Sequence, residues 1–217
     1  DTNSTYTSSG ANITFAGATQ MNSSLVVNTG AAGGNVTFTS TLDSESGEAN
    51  TLNITAGTGN VTFTGLVGNT NTLGAVTIVS AADVGVNGLR AASFEQTAGT
   101  GTTTINTGAF TSTEQGMATT ASAGAVINND VITINDSIDT TGNGVVTLTT
   151  DNGLLTIDAL GDINADGSVQ LTGSTGIETA GDITTTADNV TFKSATTLFS
   201  GIVINTGNGA GTVAFND

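Results

Sequence analysis

Among its 217 residues the sequence has no cysteine, histidine, proline or tryptophan, and its only basic residues are Arg90 and Lys193. The absence of cysteine excludes disulfides, and the absence of histidine removes the side chain that most often transfers protons near neutral pH. An acid/base site would have to consist of carboxylates alone, because Arg90 and Lys193 are about 100 residues apart. We therefore expect a protein without enzymatic activity.

Positive charge is nearly missing. The two basic residues stand against 18 acidic ones, which gives a formal net charge of −16. Such a surface repels phosphate groups, so we expect neither nucleic acid nor anionic lipid as a partner. No apolar run approaches the roughly 20 residues that span a bilayer, and we expect no membrane insertion. No signal segment opens the chain at Asp1, as expected of a processed chain or an excised segment.

The sequence does contain enough apolar residues for a folded core. Hydrophobic residues make up 36% of the chain and charged residues 9%. Disordered chains instead combine few apolar residues with many charges. A chain of this length forms one or two domains, and we predict a single domain over residues 1–217.

The sequence also repeats itself at a nearly fixed step. The segment Asn35–Thr39 recurs as Asn60–Thr64, and Asn12–Phe15 precedes both as an earlier copy. Near the end, Val190–Phe192 recurs as Val213–Phe215. A similar step separates Ile134 from Ile157, Leu148 from Leu171, and Ile54 from Ile78. A repeat of about 23 residues therefore runs through most of the chain.

Within each repeat the apolar residues alternate with polar ones. Val61–Thr64, Val146–Thr149 and Leu155–Asp158 place apolar side chains on one face and Thr or Asp on the other. β-Branched residues dominate these runs, which predicts strands. Gly-Asn, Asn-Gly, Asp-Gly and Thr-Gly pairs between them supply turns, and no window has sustained helical periodicity.

Short strands, frequent turns and this repeat length predict an all-β fold, a parallel β-helix or β-solenoid with three strands per coil. A chain of 217 residues at about 23 per coil gives roughly nine coils, and a rod on the order of 45 Å long. An antiparallel sandwich is the alternative, but a sandwich has no reason to repeat the same residues at coil spacing. The repeat is blurred over residues 81–124, which indicates a loop-bearing coil or a junction between two solenoid blocks.

Two longer segments carry a family resemblance. Ala92–Thr103 reads ASFEQTAGTGTT and Gly181–Phe192 reads GDITTTADNVTF. They resemble units of very long bacterial β-strand-repeat surface proteins, which are related to the filamentous-haemagglutinin-like proteins. The likeness runs from about Gly34 onward. It does not extend to the secretion domain that the two-partner-secreted members carry near their start.

This resemblance implies an exported protein with a right-handed parallel β-helix. Proteins of this kind serve as adhesins, matrix components or surface fibres. We therefore expect a secreted or cell-surface structural or adhesive segment whose partners are other copies of itself and glycans or proteins on host or neighbouring cells. Lyases of polysaccharides share the architecture, but they need clustered carboxylates with a nearby Arg or Lys.

Acidic residues are concentrated in the later half of the chain. They are Asp130, Asp136, Asp139, Asp151, Asp158, Asp162, Asp166, Asp182 and Asp188. Asp136, Asp158 and Asp182 follow one another at close to the repeat length, which predicts that they lie in one column. Carboxylates stacked about 5 Å apart repel each other unless a cation lies between them, which makes Ca²⁺ an attractive ligand.

The run Asp162-Ile163-Asn164-Ala165-Asp166-Gly167 adds a second calcium signal. It matches the start of a calcium-binding loop, with Asp162, Asn164 and Asp166 at the ligand positions. The twelfth position is Gly173, where such loops have a bidentate Glu, so the loop is incomplete. The alternative is that these Asp and Asn residues only supply turns and a polar surface. We retain Ca²⁺ as the candidate cofactor of all six residues.

Outward threonines provide the alternative function. The pairs Thr37/Thr39 and Thr62/Thr64 predict a flat Thr-x-Thr array of the kind that orders water. Asp and Asn interrupt this motif in later coils, and outward Thr also keeps strands soluble. The alternative to a fibre or adhesin is thus a module that binds ice or glycan through outward Thr, Asn and Asp.

The ends of the predicted rod bear on assembly. Neither Asp1–Gly10 nor Gly207–Asp217 resembles a polar helix or a charged cap, and a solenoid exposes unpaired strand edges at its ends. Either the chain is a slice of a longer one or its ends pair with other copies. End-to-end pairing into filaments is the expectation that follows from the second case.

Overall fold

The structure, a computed structural model, describes residues 4–110, 114–199 and 201–216. Those residues form 28 strands and no helix, hence none that is long and apolar enough to cross a membrane. The strands are β1 (Ser4–Thr7), β2 (Ile13–Phe15), β3 (Thr19–Met21), β4 (Leu25–Asn28), β5 (Val36–Phe38), β6 (Leu42–Ser44), β7 (Leu52–Thr55), β8 (Val61–Phe63), β9 (Leu73–Ser80), β10 (Val84–Asn87), β11 (Leu89–Gln96), β12 (Thr102–Asn106), β13 (Gly108–Ala109), β14 (Glu114–Gln115), β15 (Met117–Thr119), β16 (Ala125–Asn129), β17 (Val131–Ile134), β18 (Ile138–Thr140), β19 (Val146–Thr150), β20 (Leu154–Ile157), β21 (Ile163–Ala165), β22 (Val169–Thr172), β23 (Gly176–Thr179), β24 (Ile183–Thr185), β25 (Val190–Phe192), β26 (Thr196–Leu198), β27 (Ile204–Asn205) and β28 (Val213–Phe215).

The strands stack into three parallel faces that wind around one core. Face 1 consists of β1, β4, β7, β9, the C-terminal half of β11, β16, β19, β22, β25 and β28. Face 2 consists of β2, β5, β8, β10, β12, β17, β20, β23 and β26. Face 3 consists of β3, β6, the N-terminal half of β11, β15, β18, β21, β24 and β27, with Val67 bridging β6 and β11. The nine strands of face 2 correspond to nine coils, so the predicted β-solenoid is confirmed.

The repeats read from the sequence are residues that face each other in adjacent coils. The ladders pair Ile13 with Val36, Val36 with Val61, Ile54 with Ile78, Ile134 with Ile157, Leu148 with Leu171, and Val190 with Val213. The predicted step of about 23 residues is therefore one coil. The step recurs because each coil must return an apolar side chain to the same column of the core.

Inward side chains form continuous columns of apolar residues. In the first three coils the rings of Phe15, Phe38 and Phe63 stack with centroids 4.5 and 5.3 Å apart. At the other end of the rod, Phe192 and Phe215 stack at 4.5 Å. Phe38, Phe63 and Phe192 are almost fully buried, so each ring stabilises the fold by burial and by contact with its neighbours.

The coils are unequal in the segment 81–124. Val76 pairs with Phe94, so this coil contains fewer residues than the usual repeat. Phe94 pairs with Ala125, so the next coil contains more. Most of the extra length is an excursion that contains the β13–β14 hairpin, the one antiparallel pair within the described residues. The blurred repeat thus corresponds to a short coil followed by a loop-bearing coil, and the ladders of all three faces continue through both.

The excursion lies close against the body of the rod. Gly88 has φ +88°, and a Cβ there would lie 2.6 Å from the Cα of Gly108 at the start of the hairpin. Only glycine accommodates both this backbone conformation and this approach. Beyond the hairpin strand, the Arg90 guanidinium carbon lies 3.9 Å from the centroid of the Phe110 ring. This cation–π contact stabilises the docked position of the excursion.

The core of the irregular coils is partly polar. Thr103 donates to Gln96 Oε1 at 2.6 Å and accepts from Asn129 Nδ2 at 2.8 Å, and all three residues are buried. Asn129 Oδ1 in turn accepts the backbone N–H groups of Gly101 and Asp130 at 3.0 and 2.8 Å. The Gln96 Nε2 group has no hydrogen-bond partner among the described residues. Gln96 and Thr103 therefore stand in columns where both neighbouring coils place apolar residues.

Candidate functional site

The calcium motif lies on the outward side of β21. Asp162, Asn164 and Asp166 alternate with buried Ile163 and Ala165, so the three side chains point away from the core. Residues two apart in a strand are separated by about 6.6 Å. Alternation therefore puts the three polar side chains on one side of the strand. The extended backbone spaces them along the strand and does not arrange them around a single ion.

Each end of this motif accepts hydrogen bonds from a neighbouring coil. Asp162 Oδ1 accepts the backbone N–H of Asp182 at 2.8 Å, and Asp182 Oδ1 accepts the N–H of Val203 at 2.7 Å. These carboxylates close the turn before face 3 in consecutive coils. A carboxylate at this position supplies an acceptor for a backbone donor that the ladder leaves unpaired.

Asn164 belongs to a second set of contacts on face 3. It is paired in register with Asp139 and donates to Asp139 Oδ1 at 2.8 Å. The other oxygen, Asp139 Oδ2, accepts from Ser137 Oγ at 2.9 Å and from Gln115 Nε2 at 2.6 Å. The contact from Gln115 joins the β13–β14 excursion to the next coil. Sequence reasoning missed Asp139 as a centre because two of its three partners, Gln115 and Asn164, lie 24 and 25 residues away.

Asp166 connects three coils at the end of β21. Its Oδ2 accepts the backbone N–H of Asn143 at 2.8 Å, and its Oδ1 accepts from Thr186 Oγ1 at 2.8 Å. The hydrogen bond from the Asn143 backbone, with a smaller contribution from Thr186, lowers the pKa of this carboxyl below its ordinary value of 3.8. Asp166 is therefore ionised throughout the neutral range.

The predicted column of Asp136, Asp158 and Asp182 is not formed. Ile134 pairs with Ile157, which places Asp158 beside Asn135 and not beside Asp136. Asp182 lies on a different corner, stacked on Asp162. Asp136 is buried, and its Oδ1 accepts the N–H of the next residue, Ser137, at 2.7 Å. The prediction was wrong because turns differ in length from coil to coil, so equal sequence spacing does not imply the same column.

The structure holds no cluster of three or more Asp, Glu, His or Cys side chains arranged to bind a metal ion within its described ranges. Two of the six candidate residues, Asn164 and Asp166, border a shallow depression of about 290 Å³. Its other lining residues are Thr140, Thr141, Ala165, Thr184 and Thr186. Calcium binding by the six residues stays a prediction.

Asparagine ladders run along the corners of face 2. At the start of its strands, Asn12, Asn35 and Asn60 each accept, through Oδ1, a backbone N–H of the next coil at 2.8, 2.9 and 3.1 Å. At the end of its strands, Asn106 donates to Asn87 at 3.1 Å, and Asn135 donates to Asn106 at 2.8 Å. The Asn residues of the repeat are thus structural acceptors and donors that bind adjacent coils together.

Face 2 also carries a threonine column that the sequence only partly revealed. In register along its central outward positions lie Thr14, Thr37, Thr62, Gly85, Thr104, Thr133, Thr156, Glu178 and Thr197. The adjacent outward column has Thr39 and Thr64 and then changes to Asn and Asp. The two-column Thr-x-Thr motif is therefore short, as expected, but a single column continues along the rod.

The two ends of the rod differ in shape. At the first coil, Ser4, Tyr6, Phe15, Met21 and Leu25 are among the residues that line a cavity of about 280 Å³, open to the end of the core. At the last coils, exposed apolar side chains cover the end of the stack. They are Leu198, Phe199, Val203, Val213 and Phe215.

Comparisons of the chain with protein-family models, curated proteins and solved structures give no match. The function is therefore inferred from the residues of the rod, its faces and its ends.

Proposed function

We propose that the chain is a non-enzymatic structural or adhesive rod of the bacterial exterior, secreted or displayed on the cell surface. The observation that carries this proposal is the continuity of all three parallel ladders along nine coils. A rod on the order of 45 Å long, with an apolar core and polar corners, holds its two ends a fixed distance apart. Such an element serves as a spacer or as a rigid surface for contact with other molecules.

The chemistry of the chain supports this function over catalysis. The chain has no histidine or cysteine, and it has two basic residues. The carboxylates with described contacts on face 3 accept backbone and side-chain hydrogen bonds that join coils, as Asp162 and Asp166 do. The resemblance of Ala92–Thr103 and Gly181–Phe192 to bacterial surface repeats supports the location and the adhesive role.

Assembly end to end follows from the strand edges at each end of the rod. Among the residues that the structure describes, one side of β1, β2 and β3 pairs with no other strand, and neither does the opposite side of β26, β27 and β28. The two edges of a parallel sheet are complementary, because each strand pairs with a translated copy of itself. A second copy stacked head to tail therefore continues the ladders.

The test is negative-stain electron microscopy of the purified chain at high concentration, with Ca²⁺ and with a chelator. We expect uniform unbranched filaments of one rod's width. Filaments that disassemble on chelation support Ca²⁺ as a ligand of the rod, whereas filaments in both conditions show that assembly does not need Ca²⁺. Single short rods at every concentration contradict assembly, and a host-cell or glycan binding assay with those rods then tests the adhesive role alone.

A second function is favoured by the threonine column of face 2. Seven of its nine positions are Thr, so hydroxyl and methyl groups repeat at the strand spacing of about 4.8 Å on a rigid scaffold. A thermal-hysteresis assay and a glycan-binding screen test ligand binding by this column. Thr104→Lys and Thr133→Lys abolish such binding if the column is the site, whereas Thr77→Lys, on outward face 1, leaves it unchanged.

A further inference from the structure

One glycine within the strands is not required by the fold. At Gly74 and Gly108 a Cβ would overlap backbone atoms of another segment, and Gly176 has φ +133°, so these strand positions need glycine. Gly85, in β10, differs from them. A Cβ there would meet no atom within 4 Å, and its φ lies outside the left-handed region. Neither packing nor backbone conformation therefore explains glycine at this position.

Gly85 interrupts the threonine column of face 2. Val84 and Val86 are buried, so Gly85 between them occupies an outward position. It pairs in register with Thr62 of the preceding coil and Thr104 of the next. These threonines lie about 9.6 Å apart, twice the strand spacing, with no side chain between them. Glycine in the middle of a strand weakens it and often marks a place where a ligand approaches the backbone closely.

Asp83 and Asn87 border the same place along the strand, each two residues, or about 6.6 Å, from Gly85. Asp83 Oδ1 accepts the backbone N–H of Thr102 at 2.9 Å. Asn87 Oδ1 accepts from Asn106 Nδ2 at 3.1 Å, and Asn87 Nδ2 donates to a backbone carbonyl of the preceding coil at 3.3 Å. Neighbouring coils thus position both side chains. We call the space above Gly85, bordered by Asp83, Asn87 and the two threonines, the Gly85 notch.

The notch presents polar groups that have no partner in the described part of the chain. They are the second carboxylate oxygen of Asp83, one N–H of the Asn87 amide, and the hydroxyls of Thr62 and Thr104. The carboxylate only accepts hydrogen bonds, the N–H only donates, and each hydroxyl does both. Such a set around a flat stretch of backbone matches a ring that carries several hydroxyl groups.

We infer that the Gly85 notch binds one ring of a neutral saccharide. The ring lies against the Gly85 backbone, where a side chain would keep it away, and its hydroxyls bond to Asp83, Asn87 and the two threonines. Asp83 and the net charge of −16 disfavour an anionic sugar. None of the residues of the notch carries a large apolar group, which disfavours an apolar ligand. The inference rests on the second proposed function, ligand binding by the threonine column, and gives it a place and a ligand class.

The notch also separates a saccharide from ice as the ligand of this column. An array that orders water needs hydroxyl and methyl groups at every step, and Gly85 leaves one step empty. Glu178, the other residue of the column that is not Thr, has a long side chain and leaves no such space. Replacing Gly85 by Thr therefore strengthens an ice-binding array but blocks a saccharide site.

A graded series at Gly85 tests the inference. The natural chain, Gly85→Ala and Gly85→Thr are screened against immobilised neutral oligosaccharides of glucose, galactose, mannose and N-acetylglucosamine, with a polymer of uronic acids as the anionic control. Titration calorimetry then measures the affinity for the best neutral binder. We expect the affinity to fall from Gly through Ala to Thr, by about tenfold or more for Thr, as for the loss of at least one hydrogen bond. The melting temperature should stay equal or rise, because a residue other than glycine orders the strand and fits the open space.

Two further variants serve as controls. Glu178→Thr changes the other exception in the column, in a distant coil, and should leave the affinity unchanged. Asp83→Asn keeps an acceptor for the Thr102 N–H but removes the charge, and it should weaken binding with little change in melting temperature.

The outcomes distinguish failure of the notch from failure of the second proposed function. Unchanged affinity in Gly85→Thr overturns the notch and leaves ligand binding by the column in place. Equal losses in Gly85→Thr and Glu178→Thr also overturn the notch, because the whole column is then the site. Binding of the uronic acid polymer that Gly85→Thr abolishes overturns the neutral ligand class. If the natural chain binds no saccharide, glycan binding by the column itself fails, and thermal hysteresis that rises in Gly85→Thr assigns the column to ice.

Discussion

The first coils and the middle coils of the rod hold the same ladders with different side chains. In the first coils Phe15, Phe38 and Phe63 repeat in one column, and the Asn ladder at the strand starts repeats with them. In the middle coils a coil with few residues is followed by one with many, and the side chains of Gln96 and Asn129 are buried in the core. Yet β9, β11 and β16 pair without interruption.

This difference separates two sources of order in the solenoid. Backbone hydrogen bonds continue wherever a coil returns a strand to the same face, whatever the length of its turns. The same side chains recur at a fixed spacing only where the turns have the same length in successive coils. Turns of equal length return equivalent residues of the repeat to the same column of the core. An excursion such as β13–β14 is therefore tolerated, provided that the strand after it resumes pairing.

The largest effect is expected in the regular coils. Phe38→Ala removes a buried ring stacked between two others and leaves a cavity, which lowers the free energy of unfolding by about 3–5 kcal/mol. Urea denaturation followed by circular dichroism measures it. Thr37→Ala, on the outward side of the same strand, is the matched control and changes stability by about 0.5 kcal/mol or less. Similar free energies of unfolding for the two variants would show that the aromatic column does not stabilise these coils.

A smaller effect is expected in the irregular coils. Asn129→Ala leaves the backbone N–H groups of Gly101 and Asp130 without their acceptor, which lowers the free energy of unfolding by about 1–3 kcal/mol. Hydrogen exchange of the Gly101 amide should accelerate. The adjacent Asn128→Ala is the control, because Asn128 Oδ1 already lacks a partner in the described part of the chain. If Asn128→Ala is the more harmful change, the buried polar network is not what stabilises these coils.

The corner ladders contribute less again. Asn35→Ala removes the acceptor of the Asn60 N–H at 2.9 Å, in an exposed position, and lowers the free energy of unfolding by about 0.5–1.5 kcal/mol. Asn35→Asp keeps an acceptor oxygen and should restore most of this stability. Thermal denaturation of both variants measures the difference, and an Asp variant as unstable as the Ala variant contradicts the ladder.

The smallest effect concerns pH in the later coils. The hydrogen bond from Asn143 lowers the pKa of Asp166 in the folded state below its ordinary value of 3.8. Ionised Asp166 therefore stabilises the fold above pH 3.8, and this contribution is lost as the pH falls through the lowered pKa. The difference in melting temperature between the natural chain and Asp166→Asn should shrink below pH 3.8. A difference independent of pH contradicts the pKa shift.

Much of the fold was readable from the sequence because coils of similar length were common. The pairs Val36/Val61 and Ile134/Ile157 were visible as recurrences before their registers were known. The excursion around β13–β14 was visible only as a loss of pattern. Its path depends on close approach between glycines and on the contact of Arg90 with Phe110, and residue spacing does not encode such contacts.

The candidate site was less readable. The alternation of polar and apolar residues over 162–166 is visible in the sequence and holds in β21, since it depends only on local geometry. The column of Asp136, Asp158 and Asp182 was predicted wrongly, because it required the length of every intervening turn. The threonine column was underestimated for the same reason.

The direction of the ladders determines how the rod responds to tension. Hydrogen bonds between coils lie along the rod axis, so a pull on the two ends of the chain loads the outermost coil first and peels it from the stack. Release of a regular coil, such as the one from Ile13 to Val36, lengthens the chain by roughly 75 Å. Release of the loop-bearing coil from Phe94 to Ala125 lengthens it by about 100 Å. A stretched rod would thus yield in discrete steps, with one longer step in the middle, and absorb extension before the chain breaks.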